Sequence, residues 1–296
     1  MTDLVLAVDI GGTKMAAGLV DPQGAVAFRA QVPTRLTGGA AGEGELLFGD
    51  LADLVGQVAE QVGQGQSLVA CGVGCGGPMS PGGDEVSPLN IAGWRGFPLR
   101  RRLQELTGRP TFVDNDAKAL ALGEGWLGAA ADQRNYIALV VSTGVGGGVV
   151  LDGRLLQGRT GNAGHIGHVV VEPGGRRCAC GGRGCLEAEA SGTALAAISG
   201  KLPALAPPGL IERTGTLVGR AVASVVNLLD LPLAVIGGSV ALGFGPPFFA
   251  AAQREVDDRC GLEFARGARV VPAALGQLGP LVGAARVAGR GLEAVQ

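Results

Sequence analysis

His168, Cys178, Cys180 and Cys185 follow the spacing H-x9-C-x-C-x4-C inside H-I-G-H-V-V-V-E-P-G-G-R-R-C-A-C-G-G-R-G-C-L-E, residues 165–187. Glycines separate the ligands, so a short loop can bend them around one tetrahedral Zn²⁺. Such an ion would dictate the path of the chain through the whole segment. The competing readings are three core thiols or a disulfide, and neither uses the glycines. The segment holds both histidines of the protein and three of its six cysteines. Cysteines at metal spacing suit a reducing compartment, so a cytoplasmic location is expected.

The chain has 296 residues, 47% hydrophobic and 17% charged, which describes a globular protein with a large core. The net charge is −2, and the densest basic cluster, Arg100–Arg102, reads as a helix start. Neither feature suits a nucleic-acid partner. The N-terminal M-T-D-L-V-L-A-V-D lacks a positive leader, and no apolar run reaches bilayer length, so no membrane partner is expected.

Apolar runs at 4–8, 16–20 and 25–32 read as a strand meander with a turn at D-P-Q-G. Leu47, Leu51, Leu54, Val55, Val58 and Val62 recur at helical spacing. Strands at 67–73 and 111–113, a helix after D-N-D, and a hairpin from Tyr136 follow. A helix face at 217–229, strands at 233–236 and 270–271, and a final helix from Leu281 complete the alternation. The class is therefore α/β. Two similar lobes with a cleft are expected, joined near 114–118. The small lobe would be 1–115, with helix 281–296 packed on it. The large lobe would be 116–280, with the zinc loop at 165–187. Residues 78–98 read as a long functional loop. Cys71, Cys75 and Cys260 read as small core residues. Trp94 anchors that loop or packs over a ligand ring.

Three strand ends carry glycine turns: D-I-G-G-T-K at 9–14, S-T-G-V-G-G-G at 142–148 and G-G-S-V at 237–240. Glycine lets backbone N–H groups approach a phosphate. Thr13 and Thr143 add hydroxyls and Lys14 a charge. A tight hairpin explains one such turn equally well; three in order favour a nucleotide cleft. Asp116, in V-D-N-D-A-K-A, stands at a strand-to-helix junction. One of Asp114, Asn115 and Asp116 would be an N-cap. A junction carboxylate in a cleft also suits a general base. Asn115 would hold the same substrate by both ends of its amide.

Taken in order, D-I-G-G-T-K, N-D-A, S-T-G-V-G-G-G, G-H-x9-C-x-C-x4-C-L-E and G-G-S-V resemble the ROK family (repressors, open reading frames, kinases) over nearly the whole chain. The resemblance implies an actin/hexokinase-like, ribonuclease H-like fold with a zinc loop. It implies transfer of the γ-phosphate of ATP to a hexose hydroxyl, usually the 6-hydroxyl, by a homodimer. Asp9 would hold Mg²⁺, through water. Gly11, Gly12, Thr13, Lys14, Thr143 and Gly144 would line the phosphates, and Gly237 and Gly238 the adenosine. Asp116 matches the catalytic base. Gly77, Asn90, Asn115, His168 and Glu187 match the sugar site. His168 would use one nitrogen for a structural zinc and the other for the sugar.

His165 departs from the family's common G-E-x-G-H. A carboxylate only accepts hydrogen bonds, whereas a neutral imidazole donates one and accepts one. G-H-I-G-H is similar to bacterial N-acetylmannosamine kinases, where an acetamido carbonyl would suit a donor at His165. The alternative is a neutral variation in a glucokinase-type enzyme. Glucose, N-acetylmannosamine and a kanosamine-type amino-hexose all remain open as substrates, and polyphosphate remains open as donor. A sugar-sensing regulator is disfavoured, because D-I-G-G-T-K at residue 9 leaves no space for a helix-turn-helix.

Overall fold

The computed structural model describes residues 2–36 and 38–295. Met1, Thr37 and Gln296, which fall within the expected 1–115 lobe, its 36–45 loop and helix 281–296, lie outside the described residues. The chain begins with the meander β1 (Thr2–Ile10), β2 (Lys14–Val20) and β3 (Val26–Pro33). Then come α1 (Glu43–Ala59), β4 (Gln66–Cys75), α2 (Leu99–Thr107), β5 (Thr111–Asn115) and α3 (Asp116–Leu127). A second meander follows, with β6 (Tyr136–Val141), β7 (Val145–Leu151) and β8 (Arg154–Leu155). Next are α4 (Leu186–Ala190), α5 (Gly192–Ser199), α6 (Pro208–Leu229), β9 (Leu233–Gly237), α7 (Ser239–Phe244), α8 (Pro246–Arg259) and β10 (Arg269–Pro272). The chain ends in α9 (Gly279–Val295).

Two compact units result. The first comprises Met1–Leu127, Gln157–Ala163 and Leu275–Gln296; the second comprises Gly128–Leu156 and Gly164–Ala274. Each is built on one five-stranded sheet, β3-β2-β1-β4-β5 in the first and β10-β9-β6-β7-β8 in the second. The plan repeats: an antiparallel three-strand meander, then two parallel strands added beside its first strand. The parallel additions require crossover helices, which is why helices follow β4 and precede β9.

The first unit extends past the expected boundary at 115. Helix α3 buries Ala117, Ala119, Ala121 and Gly123, and α9 packs on it so closely that the backbones touch. Residues 157–163 also belong to this unit, through bonds to α3 described below. In the second unit α6 starts at Pro208, nine residues before the apolar face read from the sequence, because Pro207–Pro208 opens it.

Helix contact through glycine has a stability consequence. A Cβ on Gly283 would collide with the Ala119 carbonyl, whereas one on Gly49 of α1 meets nothing. Gly283→Ala should therefore cost about 2–3 kcal/mol in urea unfolding. Gly49→Ala should add about 0.5–1 kcal/mol.

Candidate functional site

In the first unit β1 delivers Asp9 to a tight turn, closed by the Gly11 N–H donating to the Lys14 carbonyl at 3.0 Å. Thr34 clasps it. Its hydroxyl donates to the Gly11 carbonyl at 2.7 Å, and its N–H to that of Thr13 at 3.0 Å. Asn90 lies against the turn, since a Cβ on Gly12 would stand 2.9 Å from that of Asn90. Strand register sets Asp9 beside Gly74, and Gly74 beside Asp114. A Cβ on Gly74 would lie 3.5 Å from the Asp116 Cα and 3.8 Å from Asp9 Oδ1. The two acids thus stand on either side of a residue without a side chain.

Burial pushes the Asp9 carboxyl up to about 7; the neighbouring Asp116 charge adds to the rise, and Lys14 opposes it. A desolvated carboxylate beside a second one is a group that a hard divalent cation stabilises, so the donor set fits Mg²⁺. Asp9 and Lys14 open onto a cavity of about 220 Å³ whose wall includes Gln31 and Gln277.

Asn115 is the N-cap of α3. Its Oδ1 accepts from the N–H groups of Ala117 at 3.0 Å and Lys118 at 3.4 Å. The expected grip on substrate by both amide ends is corrected here. The helix takes up the carbonyl oxygen, so only the Nδ2 end can serve a ligand, as a donor. Asp116 is the first helical residue, and its Oδ1 accepts from the Ala117 N–H at 2.9 Å. Gly77 closes the base of the 78–98 loop by accepting from the Leu89 N–H at 3.2 Å. Trp94 is fully buried, donates to the Gly44 carbonyl at 3.0 Å and stacks on Phe97, so it anchors the loop. Cys71, Cys75 and Cys260 are buried core residues.

In the second unit β6 runs into Ser142–Thr143–Gly144 and β9 into Gly237–Gly238. These turns are neighbours: Ser142 Oγ lies 2.9 Å from Ser239 Oγ, and Gly238 packs on the backbone of Val141. The ligand atoms of His168, Cys178, Cys180 and Cys185 all lie within 4.8 Å of one another. Cys180 Sγ is 3.8 Å from Cys185 Sγ, and His168 Nδ1 is 3.7 Å from Cys178 Sγ. Tetrahedral zinc with ordinary bond lengths demands edges of about 3.8 Å between sulfurs and about 3.6 Å from nitrogen to sulfur. The four donors therefore fit zinc. Because Nδ1 faces the thiolates, Nε2 of His168 is available to another partner. The His165 ring lies 6.1 Å from that of His168.

Cys185 leads directly into α4, where Glu187 Oε2 accepts the Val145 N–H at 2.9 Å. The helix that starts at the last metal ligand therefore holds the 142–145 turn. Beneath the loop, buried Glu189 accepts from the Arg176 N–H and from Arg213, both at 2.7 Å. Burial raises the Glu189 pKa, but these donors outweigh it and hold the carboxyl below its usual range.

The structure thus groups Asp9, Gly11, Gly12, Thr13, Lys14, Gly77, Asn90, Asn115 and Asp116 in the first unit. It groups Thr143, Gly144, His165, His168, Glu187, Gly237 and Gly238 in the second. Sequence reasoning missed Gly74, Lys118 and Asn162. The alternation Gly72-x-Gly74 in a buried strand was the available signal for Gly74, since it marks close backbone approach on one face.

The ROK family model matches residues 5–290. The chain belongs to the ROK family. Among its relatives is the N-acetylmannosamine kinase of Citrobacter koseri, 39% identical over 255 residues, which are 81% of this chain and 84% of the relative. The ROK hexokinase of Thermus thermophilus superposes with a TM-score of 0.81 at 36% identity, covering 98% of this chain and 99% of that one. A ROK family glucokinase from Streptomyces griseus, solved with glucose and AMPPNP, gives 0.84 at 30% identity over 97% and 99%. The actin/hexokinase-like architecture expected of a ROK protein is the one observed.

Two measurements check this geometry. An ordinary carboxyl, as in the unfolded chain, loses its proton near 3.8; folded Asp9 loses it near 7. Without Mg²⁺ and nucleotide, the Asp9 penalty is absent below about pH 4, grows to about pH 7 and is constant above. Asp9→Asn should accordingly raise Tm at pH 8 and leave it unchanged near pH 4. Cys180→Ser should lower bound zinc, measured by atomic emission, from one per chain to well under half.

Proposed function

We propose that this ROK protein is an ATP-dependent hexose kinase that phosphorylates the 6-hydroxyl, with N-acetylmannosamine preferred and glucose as the next candidate. The kinase reading rests above all on Asp116 beside Asp9 at the start of α3, with Asn90 against the Gly12 turn. The choice of N-acetylmannosamine is supported by the name of the Citrobacter koseri relative and by His165 in G-H-I-G-H. A sugar-sensing regulator has no use for such a carboxylate pair.

The assigned residues divide the work as follows. Asn90, Asn115 Nδ2, His168 Nε2, Glu187 and the Gly77 backbone hold the hexose. Asp116 accepts the proton of the 6-hydroxyl as that oxygen attacks the γ-phosphorus of ATP, the bond from that phosphorus to the β–γ bridging oxygen breaks, and ADP leaves. The turns at 11–14 and 143–144 present N–H and hydroxyl groups to the phosphates, Lys14 adds positive charge, and Gly237 and Gly238 leave space for adenosine. Mg²⁺ near Asp9 supplies neutralisation of phosphate charge. Zinc on His168, Cys178, Cys180 and Cys185 is structural and fixes the His168 ring. Acceleration comes mainly from positioning and charge, since phosphoryl transfer needs little covalent chemistry from the protein.

His165 donates to the acetamido carbonyl of N-acetylmannosamine, a contact a glutamate cannot make. Cytoplasmic location and a homodimer belong to the same proposal. Among the described residues no helix is long and apolar enough to cross a membrane.

Asp116→Asn should lower kcat by about 10³-fold with hexose binding largely kept, read by a coupled assay and by calorimetry. Near-normal turnover would remove Asp116 from the base role. His165→Glu should shift the kcat/KM ratio of N-acetylmannosamine to glucose by about 10-fold towards glucose. An unmoved ratio would make His165 neutral and leave glucose as the better substrate assignment.

A further inference from the structure

The segment Gln157–Ala163 belongs to the first unit, while the chain on either side of it belongs to the second. It closes on itself, the Ala163 N–H donating to the Gln157 carbonyl at 3.1 Å. Two side chains fasten it. Asn162 reads Met79 as a neighbouring strand would: the Met79 N–H donates to Oδ1 at 3.1 Å, and Nδ2 donates to the Met79 carbonyl at 2.9 Å. Met79 lies two residues beyond Gly77. At the other side stands Lys118, only 1% exposed. Its Nζ donates to Gln157 Oε1 at 2.5 Å and to the Gly161 carbonyl at 2.9 Å, and pairs with Asp114 Oδ1 at 2.9 Å. Those three contacts use its three protons. Asp114 Oδ1 also accepts the Asn115 N–H at 2.8 Å.

We propose that Asn162 and Lys118 are positioning residues for the hexose, strapping residues 157–163 to the backbone beside Gly77 and to the turn that carries Asn115. The proposal rests on the kinase reading above and adds two residues to it. A buried ammonium is costly to desolvate, and leucine or methionine would fill the same space; a charge at this position specifies one arrangement of its partners. Here one of those partners, Asp114, precedes the sugar contact Asn115, while Asn162 holds Met79, two residues beyond Gly77. Neither strap residue touches the hexose, so its effect falls on binding more than on the chemical step.

Asn162 is half-buried, and Asn162→Ala leaves the core intact. Lys118→Met with Asp114→Asn removes both charges and strands neither. For each variant, initial rates are measured against hexose and against ATP, with hydrogen exchange at the Met79 amide. The expected result is a hexose KM raised about 10-fold, kcat within about threefold and an unchanged KM for ATP. The Met79 amide should exchange faster in Asn162→Ala. A hexose KM within twofold of wild type in both folded variants overturns the proposal. So does an equal rise in KM for ATP, which would mean general loosening. Wild-type protein that phosphorylates no hexose overturns the kinase reading itself, and this proposal with it; that outcome is distinct, because it appears before any variant is made.

Discussion

The burial of the Asp9 carboxyl, reinforced by the Asp116 carboxylate across Gly74, is the constraint on which the arrangement of the first unit's acidic residues depends. Two carboxylates near one another, one of them desolvated, oppose folding, and the sheet register and the N-cap of α3 hold them there regardless. Such strain persists when the surrounding structure over-determines it. Three features do so: Gly74 removes the side chain that would separate the acids, Thr34 fixes the turn after Asp9, and Asn115 fixes the start of the helix that bears Asp116. A cation relieves the repulsion, and a general base gains from a carboxylate kept in place. In the proposed mechanism the same placement serves metal binding and proton transfer.

The second unit has a matching logic based on the metal loop. His168 belongs to the four-residue cluster that fits zinc and is assigned to the sugar in the proposal, and Cys185 runs into the helix whose Glu187 holds the Val145 N–H. The residues proposed to hold the sugar, the four candidate zinc ligands and the 142–145 turn are therefore one connected structure within that unit. Glu189 supports it from below through Arg176 and Arg213. In the first unit, Lys118 and Asn162 connect neighbouring loops in a comparable way.

Much of this was legible in the sequence, for identifiable reasons. Strands β1, β4 and β9 were marked by apolar runs that end at glycine, and α1 by its regular leucines and valines. The ligand cluster was marked by spacing alone. Helix α8 went unread because its buried face, Phe248, Ala251, Ala252 and Val256, is half alanine in a chain where alanine is everywhere. Short α4, α5 and α7 offer too few turns for periodicity to register. Lys118 was invisible because a lysine four residues from an aspartate on a helix reads as a surface pair, and its burial arises from a segment 39 residues later in the chain. The limits of the first unit were missed for the same reason: α3 and residues 157–163 join it through long-range contacts.

The most direct test is the product itself. The purified protein is incubated with ATP, Mg²⁺ and N-acetylmannosamine, and the product is read by phosphorus–proton correlation NMR. The account predicts a single phosphate ester on O6, formed faster than from glucose or an amino-hexose. A phosphate on the anomeric oxygen, or ATP consumed with no sugar ester formed, would contradict it.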